Sequence, residues 1–201
     1  MWGQAEQLEI SRFRTEGSGH RPRTFVRLLY DNRGIHGMFR VQDRYVRCVH
    51  TRFMDPVCKD SCVEFFIQPK ISSGYFNFEF NCGGALCAGY IVDPGRTTDG
   101  FRDFRPLTDE EGRMVRVRSS LPCPVEPEIA APIEWTLQFY VPFALIERRA
   151  GPLGGIAGSE WKANFFKCGD ETSHPHWASW TPLPARNFHL PECFGSIRFA
   201  E

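Results

Sequence analysis

The chain of 201 residues is long enough for one large all-β domain, and its 42% of hydrophobic residues, 18 Phe among them, can fill a core. Lys plus Arg balance Asp plus Glu at 24 each, which excludes the basic excess that nucleic-acid-binding proteins carry. No apolar run approaches the roughly 20 residues that a membrane-spanning helix requires. We therefore expect a single domain over residues 1–201, with neither a nucleic-acid nor a membrane partner.

The first residues, MWGQAEQLEI, contain neither a basic n-region nor an apolar h-region, so a cytoplasmic location is the default expectation. The chain has eight cysteines, namely Cys48, Cys58, Cys62, Cys82, Cys87, Cys123, Cys168 and Cys193. A domain of this size does not need disulfides, and we expect buried reduced thiols. In an exported protein, Cys58 with Cys62 and Cys82 with Cys87 would be the first pairs to consider.

Alternation of apolar and polar residues, typical of β-strands, runs through most of the chain. It predicts a first hairpin of residues 24–30 and 35–41, joined by the Asp-Asn-Arg-Gly turn. A second predicted hairpin pairs residues 62–68 with 75–81 across a turn at 69–74.

In the second hairpin, the segment YFNFEFN separates two faces. The apolar face, which we expect in the core, consists of Phe76, Phe78 and Phe80. The other face carries Tyr75, Asn77, Glu79 and Asn81, about 7 Å apart along the strand. Planar groups that donate and accept hydrogen bonds suit a hydroxyl-rich ligand, although an ordinary solvated sheet face has the same pattern. Glu64 on the preceding strand is predicted to join this surface.

The middle of the chain is more polar. We predict a strand at residues 85–92, a mobile or functional loop at 95–112, a strand at 114–118 and a Pro-rich crossing at 122–132. The loop carries several carboxylates that could hold Ca²⁺, but it lacks EF-hand spacing.

The cleanest alternation is at residues 133–141, where Ile133, Trp135, Leu137, Phe139 and Val141 are predicted to point inward. Residues 142–149 begin with Pro and form the one short helix that we expect. Strands at 161–168, 176–181 and 195–199 bring the number of predicted strands to about ten. The pattern predicts an all-β antiparallel β-sandwich, jelly-roll or immunoglobulin-like.

Two further chemistries are open near the C-terminus. Cys168, His174 and His176 have suitable ligand types for zinc, with Asp170 or Glu171 as a fourth ligand, and a metal-dependent enzyme is one alternative function. The simpler interpretation is a loop whose histidines hydrogen-bond backbone groups.

A hydrolase using Glu64 and Glu79 is a weaker alternative, because neither residue is marked as a general acid or nucleophile. We therefore do not predict an enzyme.

Several motifs follow one another in an order that resembles a known family: DSCVEFFI at 60–67, FNFEFN at 76–81, WKAN at 161–164, SWTP at 179–182 and FGSIRF at 194–199. Together they resemble family 9 carbohydrate-binding modules, in the family 9-like branch. This resemblance implies an antiparallel β-sandwich that binds sugars without altering them, in known members between two Trp rings. It also implies structural calcium, with no other cofactor required.

Transferred position by position, the resemblance implies that Glu64 and Asn81 contact the sugar. Glu79 stands where well-known members have Arg, and Phe188 stands where they have Trp. The first Trp, expected shortly before Asp60, is missing. Phe53, Tyr45 or Trp177 could supply a substitute ring.

The resulting prediction is non-catalytic carbohydrate binding through an aromatic, amide and carboxylate surface. Its residues are Glu64, Glu79, Asn81 and Phe188, with Asn187, His189 and Trp177 as neighbours. A third function, after sugar binding and metal-dependent catalysis, is a ligand-free interaction scaffold on the same fold.

Overall fold

The alternating segments form fifteen strands in the computed structural model, within the residues that it describes, 2–69 and 74–201. In chain order they are β1 (Gln7–Ile10), β2 (Arg12–Phe13), β3 (Arg23–Tyr30), β4 (Gly34–Asp43), β5 (Val46–Cys48), β6 (Cys62–Gln68), β7 (Tyr75–Asn81), β8 (Leu86–Thr97), β9 (Gly100–Pro106), β10 (Arg116–Ser119), β11 (Val125–Ile129), β12 (Ile133–Pro142), β13 (Glu160–Cys168), β14 (Trp177–Ser179) and β15 (Gly195–Arg198). The predicted turn at 69–74 lies largely outside the described residues.

Two antiparallel sheets make up the sandwich. The first has the order β1-β3-β4-β12-β10, and the second has the order β2-β14-β13-β6-β7-β8-β9, with β15 also paired to β13. Strands β11 and β5 form a separate small ribbon. The predicted antiparallel β-sandwich is confirmed.

The core lies between the inner faces of the two sheets. Phe76, Phe78 and Phe80 of β7 and the alternate residues of β12 from Trp135 to Val141 are buried in one cluster, as the alternation predicts. Phe65 of β6 stacks with Phe139 of the opposite sheet, with ring centroids 5.2 Å apart. Aromatic contacts of this kind join the sheets and leave the outer face of the second sheet for other groups.

The predicted helix is present as α2 (Phe143–Ala150), which begins after Pro142 and ends at Gly151 with φ 87°. The expectation of a single helix was wrong, because a second short helix, α1 (Asp109–Met114), follows β9. Thr108 and Glu111 form a capping box at its start, in which each side chain bonds the other residue's backbone N–H.

The segment predicted as a loop at 95–112 is instead mostly the end of β8, β9 and α1. Three of its five carboxylates, and that of Asp93 just before it, face arginines: Asp93 pairs with Arg102, Asp103 with Arg105, Glu110 with Arg148 and Glu111 with Arg149. These four carboxylates are paired with guanidinium groups and are not arranged as ligands of one calcium ion. The structural calcium implied by the family resemblance remains a prediction.

A buried polar network joins the two sheets at one end. Lys167 of β13 lies 3.5 Å from Asp43 of β4, and both side chains are at most 1% exposed. The Lys167 ammonium also donates to Nε2 of His176, at 2.8 Å. Asp43 further contacts His20 at 2.7 Å and accepts from the Trp135 indole at 3.2 Å. The buried charges are thus paired and hydrogen-bonded, as a low-dielectric site requires.

We expect Asp43→Asn to lower the free energy of unfolding by about 3–5 kcal/mol, because the change leaves the Lys167 ammonium buried without its counter-charge. Urea denaturation at pH 7 measures the loss. The matched control is Glu134→Gln, which breaks a half-exposed pair with Arg40 and should cost less than about 1 kcal/mol. Equal losses in the two variants would contradict the role of the buried pair.

His176 should make stability depend on pH. Burial and the neighbouring Lys167 lower the pKa of His176 to about 3, against the opposing charge of Asp43, while His20 adds to the lowering. At a pH above 6.5, the ordinary pKa of histidine, the His176 imidazole is neutral in both the folded and the unfolded protein. As the pH falls below 6.5, only the unfolded chain takes up the proton, so the folded state loses stability.

Between pH 7 and pH 5 this loss is on the order of 2 kcal/mol, since each unit of pKa difference corresponds to about 1.4 kcal/mol. Urea denaturation of the wild type and His176→Gln at both pH values isolates the effect, because all other titrating groups stay in both proteins. A wild type and variant with the same pH dependence would refute the assignment.

Candidate functional site

One cleft, with a volume of about 250 Å³, lies on the outer face of the second sheet. Strands β6, β7 and β13 form its floor, and the segments around β14 and residues 186–189 form a wall. Its lining residues are Cys58, Glu64, Glu79, Arg96, Cys168, Asp170, Trp177, Arg186, Asn187, Phe188 and His189.

Six of the seven predicted ligand residues meet in this cleft, although they come from four separate parts of the chain. They are Glu64, Glu79, Trp177, Asn187, Phe188 and His189. The seventh, Asn81, is fully buried and is not among the lining residues. Its amide nitrogen donates to Asp60 at 2.8 Å and to the His50 carbonyl, and its oxygen accepts from Ala85 N–H. Asn81 therefore holds neighbouring loops together.

The two carboxyl groups of the floor lie on adjacent strands. Glu64 and Glu79 are direct partners in the β6–β7 register, so their side chains share the outer face. Burial, and then the charge of Glu79, raises the pKa of Glu64 well above its ordinary range. Burial also raises the pKa of Glu79 to about 7, although the Asn77 amide donates to it at 2.8 Å. The pair can therefore donate as well as accept hydrogen bonds near neutral pH.

Aromatic rings supply the apolar part of the cleft. Phe188 stacks on buried Phe166, with centroids 4.2 Å apart and an interplanar angle of 12°. The Trp177 indole N–H donates to Asp170 at 2.7 Å, which fixes the orientation of the ring. The Arg186 guanidinium lies 4.4 Å from the Trp177 ring centroid. Both aromatic side chains are thus held in place before any ligand binds.

His189 closes the cleft beside Phe188. Its Nδ1 and the Tyr75 hydroxyl are hydrogen-bonded at 2.9 Å, and its ring contacts Phe101 at 4.4 Å. Burial, assisted by the charge of Arg96, lowers the pKa of His189 to about 3, so the ring is neutral at physiological pH. It contributes hydrogen bonding and shape instead of charge.

Among the three substitutes for the missing Trp, the structure places Trp177 in the cleft. Tyr45 is stacked on His174, with centroids 3.5 Å apart, and Phe53 lines a different depression next to Gly112. Cys58 lies in the cleft near the position where the family resemblance leads one to expect Trp. Trp177 lies more than a hundred residues further along the chain, so the sequence could name it as one of three candidates but could not rank it above the other two.

Sequence reasoning missed the two arginines of the cleft and did not count Asp170 among the ligand residues. Arg96 falls in the segment that was predicted to be a loop, and its guanidinium lies 3.8 Å from the Phe101 ring centroid. Arg186 directly precedes Asn187, a predicted ligand residue, and this position in the sequence could have identified it as a further residue of the cleft. The cleft therefore contains guanidinium groups as well as carboxyl groups.

The predicted zinc ligands are not brought together. In His176, Nδ1 donates to the His174 carbonyl at 2.9 Å and Nε2 accepts from Lys167, so both ring nitrogens are engaged. His174 stacks on Tyr45. Cys168 lines the cleft, and its thiol donates to Glu64 at 3.2 Å. Because Lys167 and Cys168 alternate on β13, the histidine network and the Cys168 thiol are on opposite faces of the sheet.

All eight cysteines lie in the described residues and are free thiols. Of the pairs considered from the sequence, Cys82 packs into the main core and Cys87 into an outer-face cluster, on opposite sides of the sheet. Cys62 is the direct strand partner of Cys168, and it packs in the same outer-face cluster as Cys58 without forming a disulfide.

None of the helices in residues 2–69 and 74–201 is both long and apolar enough to cross a membrane.

Solved structures share this architecture. A protein of Bacteroides uniformis ATCC 8492, described as a candidate carbohydrate-binding protein, is 29% identical with a TM-score of 0.85, over 98% of this chain and 87% of that chain. A family 9 carbohydrate-binding module from Caldicellulosiruptor kristjanssonii in complex with glucose is 12% identical with a TM-score of 0.64, over 98% and 85% of the two chains. A module from the same organism in complex with cellotriose is 12% identical with a TM-score of 0.63, over 99% and 84%.

The two structures at 12% identity support the fold alone. No curated protein sequence matches this chain. The model of carbohydrate-binding family 9, in contrast, matches residues 2–199. The resemblance found in the sequence motifs is confirmed, and so is non-catalytic carbohydrate binding as the function at the level of the family. The chain therefore belongs to carbohydrate-binding family 9.

Proposed function

We propose that the outer-face cleft is the sugar-binding site of this domain and that it takes a glucose-type pyranose ring. The observation that carries the proposal is the convergence in one cleft of Glu64, Glu79, Trp177, Asn187, Phe188 and His189, six of the seven residues that the sequence predicts to contact the ligand. The glucose and cellotriose complexes of the Caldicellulosiruptor kristjanssonii modules support the choice of sugar class.

The lining suits both the apolar face and the hydroxyl groups of a pyranose ring. The C–H face of the ring is apolar and packs on an aromatic plane, which Phe188 and Trp177 provide at the cleft. The hydroxyl groups need donors and acceptors in the plane of the ring. Asn187, the two carboxyl groups and the guanidinium groups offer both kinds.

The size of the cleft favours a short ligand. Its volume of about 250 Å³ is below the roughly 300–1,000 Å³ of pockets for drug-sized ligands. We therefore propose that one or two sugar rings are enclosed and that the rest of a longer glycan lies in solvent. Because the side chains are already held by Phe166, Asp170 and Tyr75, little ordering entropy opposes binding.

The alternatives from the sequence are less well supported. A metal-dependent enzyme using Cys168, His174 and His176 lacks its ligand set, since these residues lie on opposite faces of a sheet. A ligand-free scaffold does not explain why ionisable groups of both signs are collected in a cleft at the cost of burial.

Isothermal titration calorimetry with glucose and cellotriose tests the proposal. We expect saturable binding by the wild type and an affinity that is roughly 2- to 12-fold weaker in Phe188→Ala, since an aromatic contact of this kind contributes about 0.5–1.5 kcal/mol. The matched control is Phe25→Ala, a partly exposed ring on β3 of the other sheet, which should bind as the wild type does.

Asn187→Ala provides a second variant, because Phe188 also packs on buried Phe166 and its removal could disturb the fold. Circular dichroism identifies variants that are not folded. Binding that is unchanged in both folded cleft variants would place the sugar elsewhere, and the absence of binding to any glycan in an array would support the scaffold instead.

A further inference from the structure

A compact group of sulfur and oxygen atoms lies at the floor of the cleft. Cys62 Sγ, one Glu64 carboxylate oxygen and Cys168 Sγ all lie within 4.8 Å of one another. The sheet register explains the arrangement: Cys62 is the direct partner of Cys168 on the adjacent strand, and Glu64 follows two residues later on the same face. All three residues are buried, at 3% exposure or less.

The spacing is close to that of a zinc site. Tetrahedral Zn²⁺, with Zn–S bonds of about 2.3 Å and Zn–O bonds of about 2.0–2.2 Å, holds its ligand atoms roughly 3.5–3.8 Å apart. Cys168 Sγ and Glu64 Oε1 are 3.2 Å apart, and no pair in the group exceeds 4.8 Å. Side-chain rotations within the β-strands are therefore enough to bring the atoms to bonding positions.

The ionisation state of the group would change when a cation binds. The pKa of Cys168 is raised by its contact with Cys62 and by burial, and burial raises the pKa of Cys62, Glu64 and Cys58. In each case the charges of neighbouring acids or thiols add to the increase. The guanidinium groups of the cleft, Arg96 and Arg186, lie instead over aromatic rings. Burial thus favours the neutral, protonated forms of these groups, and a bound divalent cation would instead stabilise their thiolate and carboxylate forms.

We propose that Cys62, Glu64 and Cys168 form a binding site for a thiophilic divalent cation, with Zn²⁺ as the best fit. The fourth position faces the cleft, where the Cys58 thiol lies. On binding, the two thiols, and Glu64 when protonated, release their protons to solvent and act as anionic ligands. This site differs from the histidine-containing one considered from the sequence and goes beyond carbohydrate binding.

Titration of the reduced, chelator-treated protein with Co²⁺, in the absence of sugar, tests the proposal. We expect one equivalent to bind per chain with a sulfur-to-cobalt charge-transfer band, and Zn²⁺ to displace it. Metal analysis after loading with Zn²⁺ and gel filtration should give the same stoichiometry. No charge-transfer band, or a band without saturation at one equivalent, would overturn the site.

Cysteine variants locate the ion. Cys168→Ser and Glu64→Gln should each weaken Co²⁺ binding at least tenfold. Two control variants should bind Co²⁺ as the wild type does. One is Cys193→Ser, which removes a thiol outside the cleft. The other is Cys48→Ser, which removes a thiol of the separate pair in which the sulfur atoms of Cys48 and Cys123 are 3.6 Å apart. Loss of the band in Cys48→Ser but not in Cys168→Ser would assign the ion to the other thiols and refute the proposal. Since Glu64→Gln keeps all thiols and nearly the same volume, it remains informative if Cys168→Ser does not fold.

Discussion

In the centre of the second sheet, β6 is hydrogen-bonded to β7 on one side and to β13 on the other. This register places Glu64 against Glu79 and Cys62 against Cys168, while Phe65 points into the core. Because side chains alternate along a strand, a slip of one residue would exchange the two faces and put carboxyl groups among the Phe rings. The core and the cleft are therefore two consequences of the same strand pairing.

The polar groups of β13 divide between the two faces. Lys167 points inward and is neutralised by Asp43, with His176 as a hydrogen-bond acceptor. Cys168 points outward to Glu64, in a group where burial and mutual repulsion favour the protonated forms. The inner network is complete and joins the sheets, whereas the outer group still has hydrogen-bonding and ligand capacity. That difference is why we assign stability to the first and recognition to the second.

The sequence predicted the regular strands well, because a half-buried strand shows a period of two wherever one face meets a core. It failed at residues 95–112, where paired Asp and Arg side chains make exposed strands look like a polar loop and the Thr108–Glu111 capping box was overlooked. Asn81 was chosen for its strand face, but that pattern cannot tell an amide open to a ligand from one used by Asp60 and Ala85. The arginines of the cleft were missed for a different reason, since no alternation pattern marks either of them as a ligand contact.

The sequence by itself determined the sandwich class, the inward faces of the central strands and the family, because these depend on residue order and local periodicity. Only the tertiary structure decided that Trp177 joins Phe188 in the cleft, that His176 belongs to the inter-sheet network, and that Cys168 meets Cys62 and Glu64. These contacts join residues that are distant in the chain. They are set by strand register and loop packing, which local sequence patterns do not encode.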